Sequence, residues 1–110
     1  MDYDAVQEKL LSLRINYIAN LVSNVEALQR QWQVICSATG NLEASLGFQR
    51  QLHNMRGTAK TFGCPEIGEI ASTIENLLKQ HLSPGARVSA DLQLQITDLL
   101  HSLAAVARVC

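Results

Sequence analysis

The chain has 110 residues, 47% of them hydrophobic and 5% aromatic, with nine Lys and Arg against ten Asp and Glu for a formal net charge of −1. This length suits a single domain over residues 1–110 with an ordinary core, and the near-neutral charge offers no broad field to gather nucleic acid or an anionic membrane. No apolar run approaches the roughly 18 residues of a membrane span, and the Met-Asp-Tyr-Asp start lacks the basic and apolar regions of a signal peptide, so a cytoplasmic protein is expected.

Taken in chain order, residues 3–11 suggest a short first helix. Beyond it Leu11, Ile15, Ile18, Val22, Val25, Trp32 and Ile35 recur in a heptad-like stripe that Leu21 and Leu28 widen, the pattern of a long helix buried on a broad face. Trp32 lies on that stripe and reads as a core anchor. Gly40 then offers a helix stop and Asn41 an N-cap for the next helix. In that helix Phe48, Leu52, Met55, Ala59 and Phe62 form the buried stripe, and the helix runs to about Thr61. Gly63 suits a left-handed stop, while Pro65 and Glu66 suit the first turn of a following helix, so a tight antiparallel hairpin is expected.

The helix after the hairpin shows Ile67, Ile70, Ile74, Leu77 and Leu78 on one face and ends near Ser83-Pro84-Gly85. Ser89 is placed to cap the last helix, with Asp91 in its first turn and Leu92, Ile96, Leu99, Leu103 and Val106 on its apolar face. No strand pattern competes. The expected fold is all-α: an antiparallel four-helix bundle with an additional short N-terminal helix. A monomer is expected.

Cys36, Cys64 and Cys110 are odd in number and lack metal-ligand spacing, which speaks against a disulfide framework or a zinc site; small core or boundary positions are expected for them. His81 and His101 have no clustered ligand partners and read as surface or helix-end residues. No metal and no cofactor are expected. No Ser-His-Asp or Cys-His arrangement is legible, so a hydrolase is disfavoured.

Residues 53–63, His-Asn-Met-Arg-Gly-Thr-Ala-Lys-Thr-Phe-Gly, are the most informative part of the chain. His53 falls one residue off the buried stripe, which puts its ring at the edge of the core with one side in water. Arg56, Gly57 and Lys60 follow three, four and seven residues later and share its outward face. A helix-interior glycine costs about 1 kcal/mol relative to alanine, so Gly57 needs a reason. Clearance over His53 is one, and a close helix crossing is the other.

The hairpin turn near residues 62–65 places His53 about ten residues before it and Glu75 about ten after it, each roughly 15 Å from the turn at about 1.5 Å per residue. The two positions are level, and a hydrogen bond between them is permitted. A carboxylate accepting from one ring N–H fixes the tautomer, exposes the other nitrogen's lone pair and stabilises positive charge on the ring. By spacing alone, a solvated surface residue is the favoured reading of Glu75.

The run His53, Met55, Arg56, Gly57, Thr58, Ala59 and Gly63 resembles the signature of histidine-containing phosphotransfer (HPt) domains. That family shows a hydrophobe two residues after the histidine, Lys or Arg three on, Gly four on, Gly ten on and Glu or Gln twenty-two on, the last matched by Glu75. Residues 53–78 are particularly similar to the phosphotransfer domain of chemotaxis histidine kinases, which instead carry a further histidine where this chain has Ser72. The resemblance implies a phosphohistidine at His53, oriented by Glu75, with Arg56, Gly57 and Lys60 meeting the phosphoryl group or a receiver. It also implies exchange with response-regulator receiver domains and a histidine kinase.

A phosphorelay intermediate is therefore expected. The chain has no glycine-rich ATP-binding signature, so it is expected not to act as a kinase on itself. The alternative is a helical docking module that binds a signalling partner without accepting phosphate, with His53 incidental.

Overall fold

The computed structural model describes residues 3–37, 42–83 and 86–110. The described residues form four helices: α1 (Tyr3–Ser37), α2 (Leu42–Thr61), α3 (Pro65–His81) and α4 (Ala90–Val109). They form an antiparallel ring in which α1 and α3 are each flanked by α2 and α4. The expected stop at Gly40, cap at Asn41 and break at Pro84-Gly85 lie outside the described residues.

The expected short N-terminal helix is not separate. Residues 3–11 are the first turns of α1, because no Gly or Pro between residues 3 and 37 interrupts the backbone hydrogen-bond ladder. At about 1.5 Å per residue α1 is roughly 50 Å long, against about 30 Å for α2 and α4, so its N-terminal part overhangs the bundle. The dimensions of the molecule, 57 × 23 × 21 Å, reflect that overhang. Leu11 and Ile15, expected on the buried stripe, are exposed for the same reason. Burial on α1 begins at Leu21 and continues through Val25, Leu28, Trp32 and Ile35.

The core joins these residues to Phe48 and Leu52 of α2, Ile67 and Ile74 of α3, and Ile96 and Leu103 of α4. Trp32 is its largest anchor. The indole stacks on Phe48 with centroids 5.4 Å apart and donates its N–H to Thr97 Oγ1 at 3.2 Å, so its one polar group is satisfied. Phe62 is only half-buried and stacks on Tyr17 of α1 at 4.6 Å, closing the hairpin end of the bundle. Burial pushes the Tyr17 hydroxyl pKa up, opposed in part by Thr58 beside it.

The hairpin between α2 and α3 has a defined chemistry. Gly63 adopts φ +80°, Cys64 N–H donates to Ala59 C=O at 2.8 Å, and Gly63 N–H donates to Lys60 C=O at 3.3 Å. These are the two bonds of a Schellman stop. Pro65 starts α3 directly afterwards, where its missing N–H removes nothing from the helix. At the other end, the Ser89 hydroxyl accepts from Leu92 N–H as the cap of α4.

The cysteines depart from expectation. Cys64 at the hairpin and Cys110 at the end of α4 pair as a disulfide, with Cα atoms 6.1 Å apart across 46 residues of sequence. Only the antiparallel return of α4 to the hairpin end brings them together. Cys36 remains free, and burial pushes its thiol pKa up, which makes it a poor nucleophile.

Candidate functional site

The site is built across α2 and α3, about nine residues from the hairpin on each side. The Schellman stop and Pro65 fix the helix register. Gly68 fixes the separation: a Cβ there would stand 3.3 Å from the Arg56 carbonyl oxygen and 3.6 Å from Ala59 Cβ, so the backbones approach where α3 has no side chain. The close-crossing glycine is therefore Gly68. A Cβ at Gly57 would meet no atom within 4 Å, so the crossing explanation for Gly57 falls away.

His53 and Glu75 meet across this hairpin. His53 Nδ1 lies 3.3 Å from Glu75 Oε2. The imidazole is 65% exposed and the Glu75 side chain 4% exposed. An ionised carboxylate only accepts hydrogen bonds, so Nδ1 carries the proton and donates, leaving the Nε2 lone pair on the exposed ring.

Glu75 is not a solvated surface residue. It belongs to the buried face of α3 with Ile67, Ala71, Ile74 and Leu78, and it is the one charged residue buried among the described residues. Burying a carboxylate is costly unless it is paired and hydrogen-bonded. Three groups provide the pairing. Arg56 Nη1 donates to Oε1 at 3.3 Å, and His53 and Lys79 Nζ, the latter at 3.5 Å, converge on Oε2. The carboxylate is therefore held from both helices, and it holds the imidazole in turn.

Arg56 is thus partly committed to Glu75, although its side chain remains 45% exposed and keeps further N–H donors. Lys60 is exposed and lines a shallow groove with Arg56, Pro65, Gly68 and Ser72. Gly57 is exposed one turn beyond His53. Lys79 has no part in the sequence reading, though its signal was present: it follows Glu75 by four residues in the favourable Glu-to-Lys order of a helical ion pair.

His81 and His101 are both exposed and stand apart from this cluster, at the end of α3 and on α4. Among the described residues no group of His, Cys, Asp and Glu is arranged to hold a metal ion. No described helix is long and apolar enough to cross a membrane.

Comparison with known proteins adds one finding. The Hpt domain family model matches residues 12–107. No curated protein and no solved structure gives a significant match. The match covers nearly the whole chain, and the helical bundle accords with it. The chain belongs to the Hpt domain family, the phosphotransfer modules of two-component signalling.

Proposed function

We propose that residues 1–110 form one phosphorelay domain in which His53 Nε2 takes a phosphoryl group from a receiver-domain aspartate and gives it to a second receiver. The observation that carries this reading is the His53–Glu75 pair: an exposed ring whose Nδ1 proton is held by a buried carboxylate. In the forward step the Nε2 lone pair forms a bond to phosphorus while the bond from phosphorus to the aspartyl oxygen breaks. The electron pair leaves with the aspartate carboxylate. The imidazole gains positive charge, and Glu75 stabilises it through Nδ1–H without accepting the proton. The return step is the reverse.

Most of the electrostatic work in such a transfer belongs to the receiver's acidic site and its bound metal, so this domain's contribution is a positioned nucleophile and nearby cations. Arg56 and Lys60 are assigned to phosphoryl or receiver contact, and Gly57 to clearance for the approaching partner. A histidine kinase is the ultimate phosphoryl source. Ser72 stands where chemotaxis kinases carry a further histidine, and we place the chain among relay intermediates rather than in such a kinase.

A cytoplasmic location is proposed with these partners. A reducing compartment would hold Cys64 and Cys110 as thiols, so the proposal requires that the relay work with the disulfide open.

The test is incubation with receivers phosphorylated by a small-molecule donor. An acid-labile, alkali-stable label on the domain supports the proposal. Binding without any label would instead favour a docking module.

A further inference from the structure

The two oxygens of Glu75 divide the cations around them. Arg56 Nη1 stands 3.3 Å from Oε1, whereas Lys79 Nζ, at 3.5 Å, shares Oε2 with His53 Nδ1. The division follows from the antiparallel hairpin. Arg56 lies three residues after His53 on α2, roughly 4.5 Å nearer the turn, and Lys79 lies four residues beyond Glu75 on α3, roughly 6 Å farther from it. The His53 ring therefore stands between two cations along the hairpin axis. Lys60, seven residues after His53, is roughly 10 Å along α2 on the side that Arg56 already occupies. It faces the groove with Arg56, Pro65, Gly68 and Ser72, to which Lys79 does not contribute.

We propose that Lys79, and not Lys60, joins Arg56 in holding the phosphoryl group on His53, its ammonium turning from Glu75 Oε2 to a phosphoryl oxygen as the bond from Nε2 to phosphorus forms. The inference rests on the relay reading of His53 and deepens it by dividing the roles of the cations. The charges favour the exchange. Before transfer the buried carboxylate faces Arg56, Lys79 and a neutral ring, so cations outnumber anions in the cluster. Transfer makes the ring positive and adds the negative phosphoryl oxygens beside it. An ammonium left at Oε2 would then oppose the positive ring across one shared oxygen, while at a phosphoryl oxygen it meets opposite charge. Lys79 is free to move, since its side chain is 61% exposed on a flexible stem. Glu75 keeps a charged donor throughout, because the positive ring hydrogen-bonds more strongly to Oε2 than the neutral one. No proton is transferred in the exchange: the ammonium keeps its three N–H groups and redirects one of them.

The experiment separates equilibrium from rate. A receiver domain is charged with labelled phosphoryl from acetyl phosphate, freed of the donor and mixed with this domain. The rate of transfer and the final partition of label between the receiver and His53 are both measured, at concentrations too low for the complex to accumulate. Docking contacts change how fast the partition is reached, whereas only contacts to the phosphoryl group in the free phosphorylated domain change where it ends. Lys79→Gln should move the partition toward the receiver by about threefold to tenfold, the range of a largely exposed charged contact, and Lys79→Arg, which keeps the charge, should restore most of it. Lys60→Gln should slow transfer and leave the final partition in place. Melting curves on the same samples establish that each variant is folded. If Lys79 serves only to neutralise Glu75, its removal frees Oε2 for the positive ring, and the partition stays or moves toward His53. That result would overturn the proposal, as would a shift in Lys60→Gln as large as that in Lys79→Gln. A wild-type domain that no receiver labels would overturn the relay reading itself, an outcome visible before any variant is made.

Discussion

The His53 imidazole is 65% exposed, while the Glu75 carboxylate that accepts its Nδ1–H hydrogen bond is 4% exposed, so a ring in water is oriented by a group inside the protein. Exposure allows a partner's active site to reach Nε2. Burial prevents water from competing for Glu75 and fixes its direction through Arg56 and Lys79. Much of the cost of burying that carboxylate is offset by these cations, and the remainder is borne by the fold.

If His53 alone is the carrier, His53→Gln abolishes the label and leaves helicity intact, since the ring is mostly outside the core. His81→Gln and His101→Gln retain wild-type labelling. Loss of label in either of those two variants, measured by autoradiography after receiver transfer, would remove His53 from its assigned role.

Glu75→Ala removes the acceptor of Nδ1–H and leaves Arg56 and Lys79 without their anion. A hydrogen bond involving a charged group is worth about 1.5 to 3 kcal/mol, so phosphoryl uptake is expected to fall by about tenfold to a hundredfold. Glu75→Gln keeps an oxygen acceptor and is expected to retain more activity. Stopped transfer reactions compare the two, and equal wild-type rates in both would show that Glu75 does not orient the ring.

The glycines give opposite expectations. Gly57→Gln points into open space, so its melting temperature holds or rises by the equivalent of up to about 1 kcal/mol while transfer from a receiver is lost. Gly68→Leu overpacks the α2–α3 contact at a cost of about 1 to 3 kcal/mol. Thermal melts and transfer rates on the same samples separate the two effects. A stable Gly57→Gln that still transfers at the wild-type rate would sink the clearance role.

The Cys64–Cys110 bridge closes a 46-residue separation, which in the chain-entropy model stabilises by about 4 kcal/mol. Cys110→Ser, or reductant on the wild type, is expected to lower the denaturant midpoint without abolishing the label, because the bridge lies at the hairpin end, away from His53. A label that disappears on reduction would tie the bridge to function instead.

The periodicity of Phe48, Leu52, Met55 and Ala59, with Gly63 and Pro65, made the α2–α3 hairpin legible, and counting from that turn paired His53 with Glu75. Helix arithmetic succeeds there because both residues are close to one tight turn. It fails for Cys64 and Cys110, whose meeting depends on where α4 ends after a further helix and a further connection. It also could not divide the roles of Gly57 and Gly68, since spacing does not say which face of α2 meets α3. The stripe on α1 was visible, but which part of it the bundle covers is set by the lengths of the other helices. Lys79 has the i, i+4 spacing to Glu75, but that pattern is common on solvated helix faces and does not by itself mark a site.

The central claim is tested most directly by nitrogen-15 NMR of the His53 ring before and after transfer from a phosphorylated receiver. The account predicts a proton on Nδ1 in the free domain and, afterwards, phosphorus coupled to Nε2 with Nδ1–H retained. Phosphorus on Nδ1, or a free ring protonated at Nε2 alone, would contradict it.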